Sequence, residues 1–95
     1  MITIWKFPVE AVDVVRITMP QNSKLLHIGT QPPGSRDAYV WALVDTELPP
    51  ASRRLAIIGT GNPALHVHGY PYVGTFMLYD EVFHAFDLGE RPLDG

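Results

Sequence analysis

The sequence contains no cysteine, which excludes disulfide bonds, thiolate nucleophiles and cysteine-based zinc sites. Charged residues are also scarce, at 18% of the chain, and ten acidic against seven basic residues give a net charge of -3. Such a chain gains little from nonspecific attraction to polyanions, so we expect neither duplex nucleic acid nor a membrane as its partner. No apolar run approaches the roughly 18 residues of a membrane-spanning helix, and the N-terminus lacks the shape of a signal peptide. These absences favour a soluble protein of the cytoplasm.

The chain is short and apolar for its size. Its 95 residues suit one domain, and a domain this small has a thin core. Hydrophobic residues make up 46% of the sequence, and few charges are available to cover its surface. We therefore expect the protein to self-associate as a dimer or tetramer.

Short segments rich in β-branched and aromatic residues alternate with turn-forming residues. The nine prolines lie between these segments or at their ends, which suits strands and argues against a helical domain. We predict a mostly β fold, namely a compact antiparallel β-sandwich or small barrel of about seven short strands in a meander. The predicted strands cover residues 1–7, 12–19, 24–30, 37–45, 53–59, 72–79 and 81–86. The single domain then spans residues 1–87, and residues 88–95 form a loose polar tail.

The predicted strands differ in how their apolar residues are arranged. Both faces of residues 1–7 are apolar, so we expect this strand to be covered on both sides and to end at Pro8. Small residues alternate with larger ones in residues 37–45, which predicts a central strand with one small face and one large face. The last two segments are predicted to form a hairpin across Asp80.

The segment Gly59-Thr60-Gly61-Asn62 follows a predicted strand and offers several backbone N–H groups and a hydroxyl. Such a turn can form a nest for a phosphate or a carboxylate. It is not a Walker motif, because no lysine follows, and it is not a dinucleotide fingerprint, because no helix follows. The alternative is an ordinary glycine-supported turn that ends the strand.

Three histidines are candidates for chemistry. His66 and His68 would point to the same side of an extended segment and could ligate a metal, but a third ligand at short spacing is missing, so exposed loop histidines are the alternative. His84 either fills the core or contacts a ligand, since a buried ring needs a partner in both cases. No serine lies in a nucleophile elbow, and we expect no catalytic residue, no metal and no cofactor.

Segments in most of residues 2–87 carry a resemblance to a known family. They are, in order, Ile4–Pro8, Trp41–Asp45, Ile58–Pro63, Tyr72–Phe76 and Phe83–Phe86. These segments resemble a family of small bacteriophage proteins of formerly unknown function, which is similar to the phage anti-CBASS sponges. Those sponges are oligomeric β proteins that sequester a cyclic dinucleotide second messenger of bacterial defence, such as 3'3'-cGAMP, without cleaving it. The resemblance implies a non-enzymatic immune-evasion protein in the cytoplasm of the infected bacterial host.

The resemblance also implies a set of ligand-binding residues. They are donors to phosphate or base edges, cations that neutralise charge, and aromatic side chains that stack on a base. The donors are Gly59, Thr60 and Gly61, the cations Lys6 or Arg54, and the aromatics Trp5 or Tyr72, while Asn62, Thr75 and His84 complete the set. A ligand with approximate two-fold symmetry suits a site shared across a two-fold interface, to which each copy contributes the same groups.

Two other functions remain open from the residues alone. One is a metal-dependent phosphodiesterase or hydrolase that uses His66 and His68. The other is a phage structural or host-protein-binding β module that uses its apolar surface and binds no small molecule.

Overall fold

The computed structural model describes residues 1–93, and the chain there forms seven strands and one short 3₁₀ helix. The strands are β1 (Ile2–Val9), β2 (Val14–Pro20), β3 (Lys24–Thr30), β4 (Ala38–Asp45), β5 (Pro50–Gly59), β6 (Tyr72–Leu78) and β7 (Glu81–Arg91), and the 3₁₀ helix is Leu65–Val67. They form a three-stranded sheet, in the order β1-β4-β3, and a four-stranded sheet, in the order β2-β5-β7-β6. All pairs are antiparallel. The mostly β, seven-stranded antiparallel prediction is confirmed.

The predicted meander is wrong. Within residues 1–93, chain neighbours pair in the β3–β4 and β6–β7 hairpins, whereas β1 pairs with β4 and β2 pairs with β5. The reason is that the short turn after β2 leads the chain into the other sheet instead of back along the same one. A short connection limits how far the chain travels, but it does not fix which sheet the next strand joins.

The core lies between the two sheets. From β4, the small residues Ala38, Val40, Ala42 and Val44 point inward and are buried, as the alternation predicted. They share one cluster with Ile28 of β3 and, from the other sheet, with Leu55, Ile57, Phe76 and Ala85. The larger residues of β4 face away from this core. The strand is central as expected, because it lies between β1 and β3.

Strand β1 is not covered on both sides. It is an edge strand, and Ile2 and Ile4 are 69% and 55% exposed. Pro8 does not end it either, because β1 continues to Val9. A proline is tolerated there because an edge strand has one side without a ladder partner.

Strand β7 is longer than predicted and takes up part of the expected tail. It continues to Arg91, with Gly89 opposite Arg54 and Asp87 opposite Leu55. Leu88 is therefore an extra residue, and Gly89 has a φ of 89°, a left-handed conformation that glycine adopts without strain. This bulge allows β7 to stay paired with the first half of β5. Of the predicted tail, residues 94–95 lie outside the described part of the chain.

The edge strands β3 and β6 lie against each other and close one side of the sandwich. Gly74 of β6 permits this contact, because a Cβ atom there would be 2.9 Å from Ile28 Cγ2. Ile28 is almost completely buried and cannot turn away. Gly74 therefore sets the distance between the two sheets at this edge.

An ion pair closes one end of the core. Arg53 of β5 donates from Nε and Nη2 to the two carboxylate oxygens of Asp87 on β7, at 3.0 and 2.7 Å. Its Nη1 donates to the carbonyl oxygen of Ser23, in the turn between β2 and β3, at 2.6 Å. The guanidinium thus joins the four-stranded sheet to the turn that enters the other sheet.

Within the described residues, no helix has the length and apolar character needed to cross a membrane.

The Arg53–Asp87 pair predicts how stability depends on pH. Burial raises the pKa of the Asp87 carboxyl, but hydrogen bonds from Arg53 and the Gly89 N–H, with the Arg53 charge, outweigh burial and hold this pKa below its ordinary value. A carboxyl with a lowered folded-state pKa stabilises the fold above its unfolded pKa, and this contribution is lost as pH falls through the folded value. We expect chemical denaturation to show stability falling in that acidic range.

The variant Asp87→Asn should lower the free energy of unfolding at neutral pH by about 2 to 4 kcal/mol, because Arg53 then lacks its partner. The two side chains are 12% and 15% exposed, which places the loss near the lower end for buried pairs. Asp80→Asn makes the same charge change at an exposed turn and serves as the control. Equal stability and equal acid sensitivity of the two variants would contradict this role.

The close approach at Gly74 predicts the effect of one added methyl group. Gly74→Ala should lower the free energy of unfolding by about 1 to 3 kcal/mol, because the new Cβ overlaps a buried isoleucine. In the control Gly29→Ala, the Cβ would be 3.1 Å from Nε2 of His27, an exposed side chain that can turn away. Denaturant unfolding of both variants measures the difference, and a Gly74→Ala variant as stable as Gly29→Ala would refute it.

Candidate functional site

Four of the predicted ligand-binding side chains meet on the outer face of the four-stranded sheet. His84 of β7 is paired with Ile58 of β5 on one side and with Thr75 of β6 on the other. Its chain neighbour Ala85 is buried in the core, so His84 points outward. Together with Thr60 and Tyr72, these residues form what we call the His84 cluster: Thr60, Tyr72, Thr75 and His84.

The cluster is one continuous chain of hydrogen bonds. Oγ1 of Thr60 lies 2.6 Å from Nε2 of His84, and Oγ1 of Thr75 lies 2.9 Å from Nδ1 of the same ring. The Tyr72 hydroxyl is bonded in turn to Oγ1 of Thr75. Both ring nitrogens are therefore occupied by hydroxyl groups, and this fixes the orientation of the imidazole.

A β-bulge brings Tyr72 and Thr75 to the same face. Residues three apart in a regular strand point to opposite faces. Here Tyr72 is opposite Phe86 and Gly74 is opposite Ala85, so Val73 is an extra residue that shifts the alternation. The ring of Tyr72 also packs edge-on against that of Phe86, with centroids 5.6 Å apart.

Thr60 is held by the strand that it follows. Its backbone N–H donates to the carbonyl oxygen of Val82 at 3.1 Å, which extends the β5–β7 pairing by one step. Its Oγ1 lies 3.3 Å from the same carbonyl oxygen. This carbonyl was absent from the sequence prediction, because a backbone acceptor has no signature in the sequence and only the strand register reveals it.

The turn after β5 has the compact form that its glycines predict. The N–H of Asn62 donates to the carbonyl of Gly59 at 3.0 Å, and Gly61 has a φ of 91°, which favours glycine. A Cβ atom at Gly59 would be 2.9 Å from Nδ2 of Asn62, so glycine leaves room for that amide. Thr60 lies within this turn, and the side-chain amide of Asn62 folds back toward Gly59 at the end of β5.

Two open depressions flank this turn, and Gly59 and Asn62 line both. The larger, of about 540 Å³, also includes His66 and Asp13, and the smaller, of about 360 Å³, includes Thr60 and Glu81 along its wall. These volumes fall within the range of small-molecule sites. The turn is thus positioned to contact a ligand from either side.

The connector between β5 and β6 folds over part of the same sheet face. Val67 is buried against Ala56 and Ile58, with Phe86 and Leu88 packed around them. The prediction that His66 and His68 point to the same side assumed an extended segment. This assumption is wrong, because the segment contains the 3₁₀ helix. Both histidines are exposed, and within residues 1–93 no three His, Asp or Glu side chains are grouped closely enough to hold a metal ion.

The remaining predicted contacts lie elsewhere. Trp5 is on β1, where it packs edge-on against Phe7. Lys6 is on the outer face of the three-stranded sheet, where it donates to Oε1 of Gln31 at 2.7 Å and lies over the ring of Tyr39. Neither residue shares a surface with the His84 cluster, so in a single copy they cannot contact the same small ligand.

Arg54 lies on β5, in the same sheet as the His84 cluster. Its Nη2 donates to the carbonyl oxygen of Leu88 at 3.3 Å. Its Nε is buried and has no hydrogen-bond partner within residues 1–93. Part of its donor capacity is thus used within the fold.

The chemistry of the cluster suits binding better than catalysis. The contact between the Thr60 hydroxyl and His84 Nε2 has the spacing of a nucleophile and its base. In a catalytic triad, however, the second ring nitrogen donates to a carboxylate that stabilises the imidazolium, whereas here it meets the Thr75 hydroxyl. The cluster therefore presents hydrogen-bonding groups in fixed positions, without the carboxylate partner of a triad.

Comparisons with known proteins place the chain in one family. Searches of curated proteins and of solved structures find no match. A family described as a domain of unknown function, DUF7352, matches residues 1–93, and the chain therefore belongs to this family.

Proposed function

We propose that the protein binds a cyclic dinucleotide, such as 3'3'-cGAMP, and sequesters it without cleaving it, as a phage protein that evades CBASS defence in the cytoplasm of the infected host. The observation that carries the proposal is the hydrogen-bonded chain of Tyr72, Thr75, His84 and Thr60 on an exposed sheet face. The resemblance of the strand segments to the phage sponge proteins supports the class of ligand. A cluster whose imidazole has hydroxyl partners and no carboxylate partner suits a protein that holds its ligand intact.

The surroundings of the cluster offer the other contacts that such a ligand needs. Tyr72 is 58% exposed, so one face of its ring is free to stack on a base, a contact worth roughly 1 to 3 kcal/mol. In the Gly59–Asn62 turn, the Thr60 and Asn62 N–H groups already donate to the carbonyls of Val82 and Gly59, which leaves the Gly61 N–H as the backbone donor for a phosphate. Lys6 is on the opposite side of the sandwich and does not contribute to the site of the same copy.

Self-association is part of the proposal. The outer face of the three-stranded sheet exposes apolar side chains from all of its strands: Ile2, Ile4, Leu26 and Leu43. Exposed apolar side chains from three neighbouring strands on so small a domain favour an interface. A second copy packed there would supply the burial that a thin core lacks, and the His84 cluster of each copy would remain on the other, outward-facing sheet.

The same apolar face supports a second candidate function, a phage structural or host-protein-binding module. In that case the face would contact another protein, and the His84 cluster would serve only to order the sheet. Substitution of the cluster then leaves function unchanged, which separates the two candidates.

Calorimetry with a panel of cyclic di- and trinucleotides tests the binding proposal. We expect a cyclic dinucleotide to bind with micromolar affinity or better and to be recovered intact. Thr60→Ala should weaken binding about tenfold, because it removes one hydrogen-bonding group of the cluster. Thr18→Ala, at an exposed position of β2, is the matched control. The proposal fails if none of these nucleotides produces heat, or if both variants bind equally well.

Light scattering tests the self-association. The wild-type protein should be a dimer or tetramer, and Leu43→Lys should shift it toward the monomer by placing a charge in the apolar interface. Leu65→Lys makes the same change at a side chain that is 87% exposed on the 3₁₀ helix, away from this face, and should have no effect. A wild-type monomer at high concentration would rule out the interface.

A further inference from the structure

The hydrogen-bond directions in the His84 cluster determine which ligand groups it can accept. We infer that, in the ligand-free cluster, the uncharged imidazole of His84 carries its proton on Nε2, and that the cluster therefore presents acceptors and recognises an N–H group of the ligand. The choice of a purine base edge as the source of that N–H rests on the proposed function. The direction of the hydrogen bonds within the cluster is independent of the proposed function.

In one of the two possible directions of this hydrogen-bond chain, every polar proton of the cluster is donated to an acceptor. The Tyr72 hydroxyl donates to Thr75, and the Thr75 hydroxyl donates to Nδ1 of His84. Nε2–H of His84 donates to Thr60, whose hydroxyl donates to the carbonyl oxygen of Val82. The chain of hydrogen bonds begins at a phenol and ends at a backbone carbonyl.

The opposite direction makes one hydrogen bond fewer. Thr60 would donate to Nε2, Nδ1–H would donate to Thr75, and Thr75 would donate to Tyr72. The Tyr72 hydroxyl proton would then have no acceptor in the cluster, and the bond from the Thr60 hydroxyl to Val82 would be lost. A phenol is also a better donor and a poorer acceptor than an aliphatic hydroxyl, so both ends of the chain favour the first direction.

In the favoured direction, each hydroxyl proton of the cluster is already donated within the protein, and only oxygen lone pairs remain for a ligand. The oxygens of Tyr72, Thr75 and Thr60 each keep acceptor capacity toward solvent, because each hydroxyl has two lone pairs. Such a surface favours N–H donors and disfavours phosphate. In a cyclic dinucleotide the exocyclic amine of a purine would therefore face the cluster, and the phosphates would lie away from it.

Nitrogen NMR of histidine-labelled protein without ligand tests the direction. We expect the uncharged imidazole of His84 to carry its proton on Nε2, and its signals to be identified by their absence in His84→Gln. The exposed His66 and His68 give the reference behaviour of solvated rings. An Nδ1–H tautomer at His84 would overturn the inference. This result stands whether or not any cyclic dinucleotide binds, so it is independent of the proposed function.

Analogue binding tests the recognition. 3'3'-cGAMP is compared with one analogue that carries hypoxanthine in place of guanine and another that carries purine in place of adenine, each of which lacks one exocyclic amine. We expect at least one analogue to bind about tenfold more weakly in wild type, and the penalty to disappear in Thr75→Val, where an acceptor is already missing. Equal affinity for all three ligands, or a shift of the His84 signals by inorganic phosphate alone, would count against an acceptor site.

Discussion

The bidentate pair between Arg53 and Asp87 is the interaction on which the arrangement of the sheets depends. A charge that faces a core is costly unless its donors are used, and here Nε, Nη1 and Nη2 all donate to Asp87 or Ser23. The pair fixes how β5 and β7 align after the bulge at Leu88. The same alignment places Ile58 opposite His84 and brings Thr60 to the imidazole. The ion pair and the polar cluster thus lie along the same pair of strands and share its alignment.

The two outer faces of the sandwich differ in chemistry. The face of the four-stranded sheet carries the His84 cluster and is partly covered by the connector that buries Val67. The face of the three-stranded sheet has no covering segment within residues 1–93 and exposes Ile4 and Leu43. One face thus carries directional hydrogen-bonding groups, and the other exposes apolar area whose burial is favourable without a preferred direction. Under the proposed function, association and ligand binding would use different surfaces of a small domain.

Most strands could be predicted from the sequence, because prolines and turn residues mark their ends and β4 alternates strictly between small and large residues. The order of the strands could not, since pairings such as β1 with β4 depend on the whole core. For this reason the sequence grouped Trp5 and Lys6 with residues of the other sheet. The residues Thr60, Thr75 and His84 belong to the ligand-binding set that the resemblance implies, and the structure brings them into contact. The contact of Tyr72 with Thr75 depends on a bulge at Val73 that the sequence does not mark.

The strand order also implies a sequence of events during folding. Thr75 and His84 are nine residues apart in one hairpin, so their contact closes a short loop and can form within microseconds. Thr60 and His84 are 24 residues apart and meet only after β5 has paired with β7. Non-local pairings of this kind slow folding, because loop entropy is lost before contacts are gained. We expect the cluster to be completed late, so that a nascent or partly folded chain does not yet contain the full site.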